Sequence, residues 1–384
     1  MKRFISKWGC RLFLGLLGLA AVLAIFFTLI PQGRAGFHTA LFVFQVLEMG
    51  IKPQALFTKE PVRREVNYPQ AAGTGLADIY RIPDEEDRAS VLIFLGANAA
   101  GRDDKDVVNL GNSLARAGFV VMFHWSPTMA LRSNIDPVEI DNLVSAFQYL
   151  RAQEFVDQDR LGMGGFCIGA SFALVAAADP RIRDDVVFVN AFGPYFDARD
   201  LLMQLASRSR IYQGNSELWD PDRLTLRVFA NELIETLEDP RGQQVLSRLF
   251  LEGQDVSEAE LSDLPQEAQR VRQLLDGTTL KEAEALYQDL PAEFRASMNH
   301  ISPSAHIGQL KARIMILHDR NDRLVPAAES RRLADALEER GNYRYTEVLA
   351  FEHVRPASGG GLWQLVREGV KLYRHMYGIM REAA

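Results

Sequence analysis

Three uninterrupted apolar runs constrain this chain more than anything else in it: Ser90–Gly96 (SVLIFLG), Phe119–Trp125 (FVVMFHW) and Arg313–His318 (RIMILH). A strand with one wet face alternates polar and apolar residues. A run that is apolar throughout belongs to a strand buried on both faces, the condition of a parallel sheet with helices on each side. Further strands are expected at Val62–Tyr68, Ala77–Ile82, Leu161–Phe166, Val186–Ala191 and Tyr345–Phe351. The intervening segments have helical spacing. Asp104–Ala117 ends at Gly118, and Pro137–Gln153 starts behind Asp136 as N-cap with Pro137 at its first position. Ile168–Ala178 stops at Asp179-Pro180, Ala327–Arg340 ends at Gly341, and a last helix is expected from Gly361 to Gly378. Repeated β-α-β units of this kind predict an α/β fold with a mostly parallel, doubly wound sheet.

Two segments depart from that pattern. Between Asp197 and His300 the chain is polar and helical, with no convincing buried strand. It reads as a helical cap inserted at 197–300, hanging over the strand C-termini where open α/β sheets bind ligands. At the other extreme, Leu12–Ile30 (LFLGLLGLAAVLAIFFTLI) holds no charged residue. As a helix it would span about 28 Å, close to the hydrocarbon thickness of a bilayer. Lys2, Arg3, Lys7 and Arg11 precede it, so the N-terminus is expected to stay cytoplasmic and the rest to lie on the far, periplasmic or extracellular side. The exit, Ile30-Pro31-Gln32-Gly33-Arg34, is a poor cleavage site, which favours an uncleaved anchor over a signal peptide. The expected organisation is therefore a membrane anchor at 1–31, an amphipathic linker at 32–60 and the main domain at 61–384. Within the linker, Phe37–Ile51 is too short and too polar to span a membrane. It is expected to lie at the interface or pack on the main domain.

Composition removes several alternatives. The 384 residues carry a net charge of −7, which argues against nucleic acid as a partner. Two cysteines make no disulfide framework. Cys10 precedes the apolar run, so it is no lipoprotein cysteine and reads as a membrane-edge thiol. No cluster of metal ligands stands out and no cofactor is implied.

The chemistry concentrates in three places. Gly165-Phe166-Cys167-Ile168-Gly169 is a G-x-nucleophile-x-G turn between a buried strand and a helix. The glycines let the two backbones approach, and the helix N-terminus favours a thiolate and a developing anion. A dinucleotide loop fails because Cys167 stands where the third glycine of G-x-G-x-x-G belongs, and a Walker loop fails for want of Lys-Ser/Thr. Second, His318-Asp319-Arg320-Asn321-Asp322-Arg323-Leu324-Val325-Pro326 follows a buried strand. Asp322, with Asp319 as the alternative, could orient a histidine. Third, His353 follows the last strand. Chain order selects it over His124 and His318, which also end strands, over His300 and His306, which lead back from the cap, and over His375 in the final helix. Cys167, Asp322 and His353 thus come in the order nucleophile, acid, base.

These motifs carry a resemblance. GGFCIGAS resembles the nucleophile elbow of the dienelactone hydrolase-like branch of the α/β-hydrolase superfamily, which uses cysteine. HDRNDRLVP resembles that superfamily's H-G-x-x-D-x-x-V-P acid loop with Asp322 on the acid position, and FEH resembles the loop carrying its histidine. The resemblance runs from Val62 to Gly378, interrupted by the cap. The sequence departs from the pattern at Asp319, where a glycine is usual. It departs again at Leu95-Gly96-Ala97-Asn98, where many relatives have His-Gly, and in lacking a glutamate near that loop to restrain the cysteine.

The residues in this arrangement suit acyl transfer: a Cys-His-Asp triad, with the oxyanion held by the backbone N–H of Ile168 and of Ala97. A thiolate leaves as readily as it attacks, so activated acyl compounds such as lactones, enol esters or thioesters are the expected substrates. A small-molecule or lipid-like acyl substrate fits a membrane-bound site. The same site could serve an acyltransferase, or the fold could be an inactive binding module.

Overall fold

The computed structural model describes residues 26–27, 29–46, 53–70, 73–97, 101–349, 351–352, 355–356 and 362–383. Its strands are β1 Val62–Gln70, β2 Gly73–Arg81, β3 Arg88–Phe94, β4 Val120–Trp125, β5 Val156–Phe166, β6 Phe188–Phe192, β7 Ser209–Tyr212, β8 Asn215–Leu218, β9 Arg313–Asp319 and β10 Tyr343–Val348. Eight of them form one sheet in the order β1-β2-β4-β3-β5-β6-β9-β10. β2 runs antiparallel to both β1 and β4, and every pairing from β4 onward is parallel.

The continuous apolar runs are buried on both faces, as their composition requires. Every residue of β4 is buried, and all of β3 except its first. Leu92, Phe94, Met163, Ala191 and Ile316 meet the helices Glu139–Arg151, Ile168–Ala176 and Ala327–Leu337 on one face. Val91, Ile93, Phe123, Phe188 and Leu317 meet Lys105–Arg116, Pro31–Val46 and Leu362–Met380 on the other. Order reverses between β3 and β5: from β3 the chain steps outward to β4, then returns across β3 to β5. Their adjacent C-terminal ends are the switch point where such sheets bind ligands.

After β6 the chain leaves the sheet and returns at β9. The excursion includes the helices Ala198–Ser207, Arg223–Ile234, Pro240–Phe250, Gln266–Asp276, Leu280–Gln288 and Ala292–His300. They share an apolar core of their own that includes Leu233, Leu246, Val271 and Leu274. Buried Glu329 ties this cap to the sheet domain. Its carboxylate accepts from the backbone N–H of Phe196 and Asp197 and from the Gln204 amide, and it pairs with Arg332.

Three details add to or differ from the expected pattern. The cap holds a small hairpin, β7–β8, in which β8 is fully exposed; a strand that buries nothing leaves no apolar run to read. The last sheet strand ends at Val348, and Phe351–Glu352 instead pairs antiparallel with Arg355–Pro356. Asp136 accepts from Val138 N–H at 3.1 Å, and regular helix begins at Glu139.

The helix Pro31–Val46 packs on the sheet domain, with Ala35, Leu41, Phe42 and Val43 buried. The segment read as a membrane span lies almost entirely outside the described residues, as does Cys10. Among the described residues no helix is long and apolar enough to cross a membrane.

Candidate active site

Cys167 sits in the turn from β5 into Ile168–Ala176 with φ 53° and ψ −128°. For a side-chain-bearing residue this backbone costs about 1–3 kcal/mol and persists only where the surroundings impose it. They do so here through close packing. A Cβ on Gly165 would lie 2.4 Å from the Gly169 carbonyl oxygen, and one on Gly169 would lie 2.3 Å from that of Phe94. Both obstacles are backbone and cannot move aside. The turn is held further by Cys167 N–H donating to Phe192 at 2.8 Å and Ala170 N–H donating to the Cys167 carbonyl at 3.0 Å.

The same packing brings the loop after β3 against the first turn of the elbow helix, since a Gly169 Cβ would also meet the Gly96 nitrogen at 2.7 Å. Ala97, buried, lines the cavity that holds Cys167 and Ile168. The Ile168 N–H is within reach of the thiol and favours its thiolate. Burial is the larger effect, however, and with the charge of Asp322 it pushes the thiol up to about 12. Cys167 is therefore a protonated, half-buried thiol at rest.

Asp322 is buried in the loop after β9, and its Oδ1 accepts from the N–H groups of Leu324 at 2.6 Å and Val325 at 3.2 Å. A Cβ on Gly193 would lie 3.3 Å from its Oδ2. Gly193 follows Phe192, the residue whose carbonyl holds Cys167, so the end of β6 brings Asp322 and Cys167 together. Asp319 ends β9 and accepts from Asn321 N–H at 2.8 Å, which shapes the loop. His353 lies outside the described residues, between the paired segments Phe351–Glu352 and Arg355–Pro356.

Several other histidines are held in contacts of their own. His318 is fully buried, bonded to the Ser330 hydroxyl at 2.6 Å and the Val325 carbonyl at 3.0 Å, and burial lowers its pKa. His124 bridges Tyr68 and Glu139, both at 2.6 Å. His375 lies between Asn190 and Thr346, and burial takes it down to about 3. His306 contacts the His300 carbonyl at the surface.

Cys167 lines an apolar cavity that extends from the cap to Phe42, Leu114, Phe119 and Met376 in the layer on the other face of the sheet. Leu201, Leu205, Val228, Phe229, Phe294 and Met298 from the cap give it an apolar wall. Sequence reasoning missed Glu232, a further residue of that wall. Leu224, Val228 and Glu232 recur at four-residue intervals, the signal that could have put it on the inward face. Among the described residues no group of three or more His, Cys, Asp or Glu side chains could hold a metal ion.

An antiparallel β2 in an otherwise parallel sheet precedes the reversal at β3, and a strained strand-to-helix turn at Cys167 follows β5. Such a sheet matches the α/β-hydrolase fold. No family model matches the chain. A curated protein described as a probable 2-oxo-3-(5-oxofuran-2-ylidene)propanoate lactonase, from Bradyrhizobium sp., is 35% identical over 89 residues. The match covers 20% of this chain and 36% of that protein. Among solved structures, a Pyrobaculum calidifontis esterase aligns with TM-score 0.46 and 13% identity over 95% of this chain and 98% of its own. A putative dipeptidyl aminopeptidase IV from Bacteroides ovatus aligns with TM-score 0.48 and 12% identity, over 83% and 36%. A Pyrococcus horikoshii acylaminoacyl peptidase gives 0.45 and 11%, over 83% and 41%. Likenesses this distant say nothing about activity.

Proposed function

We propose that this α/β-hydrolase-fold protein is a hydrolase cleaving an ester, lactone or thioester through Cys167, His353 and Asp322. The observation that carries the reading is the backbone of Cys167. A positive φ at a non-glycine residue, enforced by glycines that tolerate no Cβ, aims one thiol into an apolar cavity beside Asp322. The short lactonase match adds lactones to the bonds worth testing.

In this mechanism His353 takes the thiol proton as sulfur attacks the acyl carbon. Asp322 fixes the imidazole tautomer and stabilises the imidazolium. The tetrahedral oxyanion is held by the N–H groups of Ile168 and Ala97, each such donor being worth about 10²–10³ in kcat. Collapse breaks the carbonyl–oxygen or carbonyl–sulfur bond of the substrate. The leaving group takes the proton from His353 and an acyl-cysteine remains. Water, deprotonated by His353, attacks that thioester and releases the acid and the free thiol. A thiol held at about 12 has little thiolate of its own at neutral pH, so transfer to His353 is essential.

The test uses the detergent-solubilised full chain, with p-nitrophenyl esters, thioesters and small lactones. Turnover is expected in the wild type and absent in Cys167→Ala and His353→Ala. Equal turnover in wild type and Cys167→Ala overturns the assignment. The N-terminal Leu12–Ile30 belongs to the same reading, as an uncleaved anchor holding the catalytic domain against the far side of a membrane. Its charge-free run and basic flank support this, as does the apolar, solvent-facing start of the described chain, where Leu29 is 72% exposed.

A further inference from the structure

The cap helix Arg223–Ile234 turns one stripe toward the cavity: Leu224 and Thr225, then Val228 and Phe229, then Glu232. The spacing is that of a single helical face. Thr225 spends its hydroxyl on the Leu324 carbonyl at 3.0 Å, so the stripe offers a ligand only apolar surface until it reaches Glu232. One carboxylate oxygen there, Oε1, accepts from Ile135 N–H at 2.6 Å. Neighbouring bonds fix the same end of the helix: Asn231 donates to the Arg132 and Ser133 carbonyls, and Asn134 donates to Glu235. The carboxyl is thus held by one oxygen on a rigid element while facing a chamber it shares with Cys167. Tyr195, another lining residue, is close enough to both Cys167 and Glu232 for a charge on either to act on its hydroxyl.

We propose that Glu232 is a specificity residue: in its protonated form its second oxygen donates a hydrogen bond to an acceptor oxygen on the acyl part of the substrate. This inference rests on the reading of Cys167 as the acylated residue, and it names the substrate class as a neutral, mainly apolar acyl compound bearing one oxygen, such as a keto group, along its chain. Burial is the main cause that raises the Glu232 carboxyl, to about 8, reinforced by Glu235 on its own helix and Asp136 on the facing loop. At neutral pH it is therefore chiefly a donor. Oε1 already has its partner, and an acceptor oxygen on the substrate supplies one for the second oxygen in the bound complex.

The test measures kcat/KM on the full chain for p-nitrophenyl esters of one straight acyl length, with a single keto oxygen moved along the chain. The binding of the matching amides to Cys167→Ala protein is measured in parallel. One keto position is expected to exceed the plain ester by about tenfold or more. Glu232→Gln, which keeps both the acceptor and a donor, should retain that preference, and Glu232→Leu should lose it while still hydrolysing the plain ester. Between pH 7 and 9 the wild-type preference should fall as Glu232 ionises, and the Gln variant should stay flat. Because the readout is a ratio of two substrates on one enzyme, the titration of Cys167 and His353 cancels. Turnover with no keto preference overturns the role of Glu232 and leaves the hydrolase reading intact. No turnover, with a keto-amide preference that Glu232→Leu abolishes, upholds Glu232 as the specificity residue and overturns the hydrolase. No preference in either assay overturns the proposal.

Discussion

At the scale of the residue, the elbow sets two opposite expectations. Cys167→Gly removes the strain of a positive φ and should stabilise the fold by about 1 kcal/mol in urea denaturation while abolishing turnover. Gly169→Ala places a methyl 2.3 Å from a backbone oxygen and should prevent the native fold or cost about 3 kcal/mol or more, seen as loss of soluble protein or a large drop in Tm. The thiol itself gives a pH test. Burial and the Asp322 charge raise its pKa to about 12, so the thiolate is scarce throughout pH 7–9 unless a base takes the proton. Alkylation by iodoacetamide should be slow at neutral pH in His353→Ala and climb only in strong alkali, whereas wild type should react from pH 7. Equal rates in the two proteins would remove His353 from the site.

The elements are held by buried polar junctions such as Asp78 on β2. Its carboxylate, fully buried, meets Arg63 at 2.9 Å, Arg102 at 2.7 Å and the Trp125 indole N–H at 2.9 Å. Burial alone would raise this carboxyl, but the two guanidiniums outweigh it and the pKa is lowered. A depressed folded pKa means the junction stabilises the protein above the unfolded value of about 4 and loses that contribution as pH falls through the folded one. Asp78→Asn should cost about 2–4 kcal/mol at pH 7, less than a fully buried pair because both arginines keep some water. The deficit should shrink below pH 4, read by thermal melts across that range. Such junctions were not legible in the sequence, because nothing in the spacing of Arg63, Asp78 and Arg102 says they meet. The strands were legible for the opposite reason: burial on two faces writes itself into composition, residue after residue, as in β3 and β4. The hairpin β7–β8 shows the boundary between the two cases. Its strands bury little, but Gln213 and Gly214 both take positive φ, and a glycine-bearing two-residue turn of that kind is a readable signal. The strand-to-helix turn at Cys167 and the loop that holds Asp322 were legible from motif and order. Glu232 was passed over because a lone glutamate in a polar helical insertion looks solvated until the face it occupies is known.

For the whole molecule, the helix Pro31–Val46 decides how much of the chain counts as the catalytic body. Sequence alone left it as an amphipathic linker, lying at the interface or packed on the main domain. Phe42 and Val43 are buried in the same apolar layer as Leu372 and Met376 of the final helix and Phe188 of the sheet. Fully burying side chains of this size is worth about 1.5–3 kcal/mol each, before the entropy of ordering the helix is subtracted. Removing the helix uncovers one face of the sheet, not a tether. Two truncations separate the roles. A chain beginning at Pro31 loses the charge-free run but keeps this packing, so it should leave the membrane fraction, retain its Tm and keep its kcat on soluble esters. A chain beginning at Pro53 loses both, so it should melt lower by several degrees and bind hydrophobic dyes. If the first truncation stays with membranes through alkaline extraction, attachment does not depend on Leu12–Ile30. If the second melts like the first, the packing of Phe42 and Val43 contributes nothing net, and the helix is no part of the stable body.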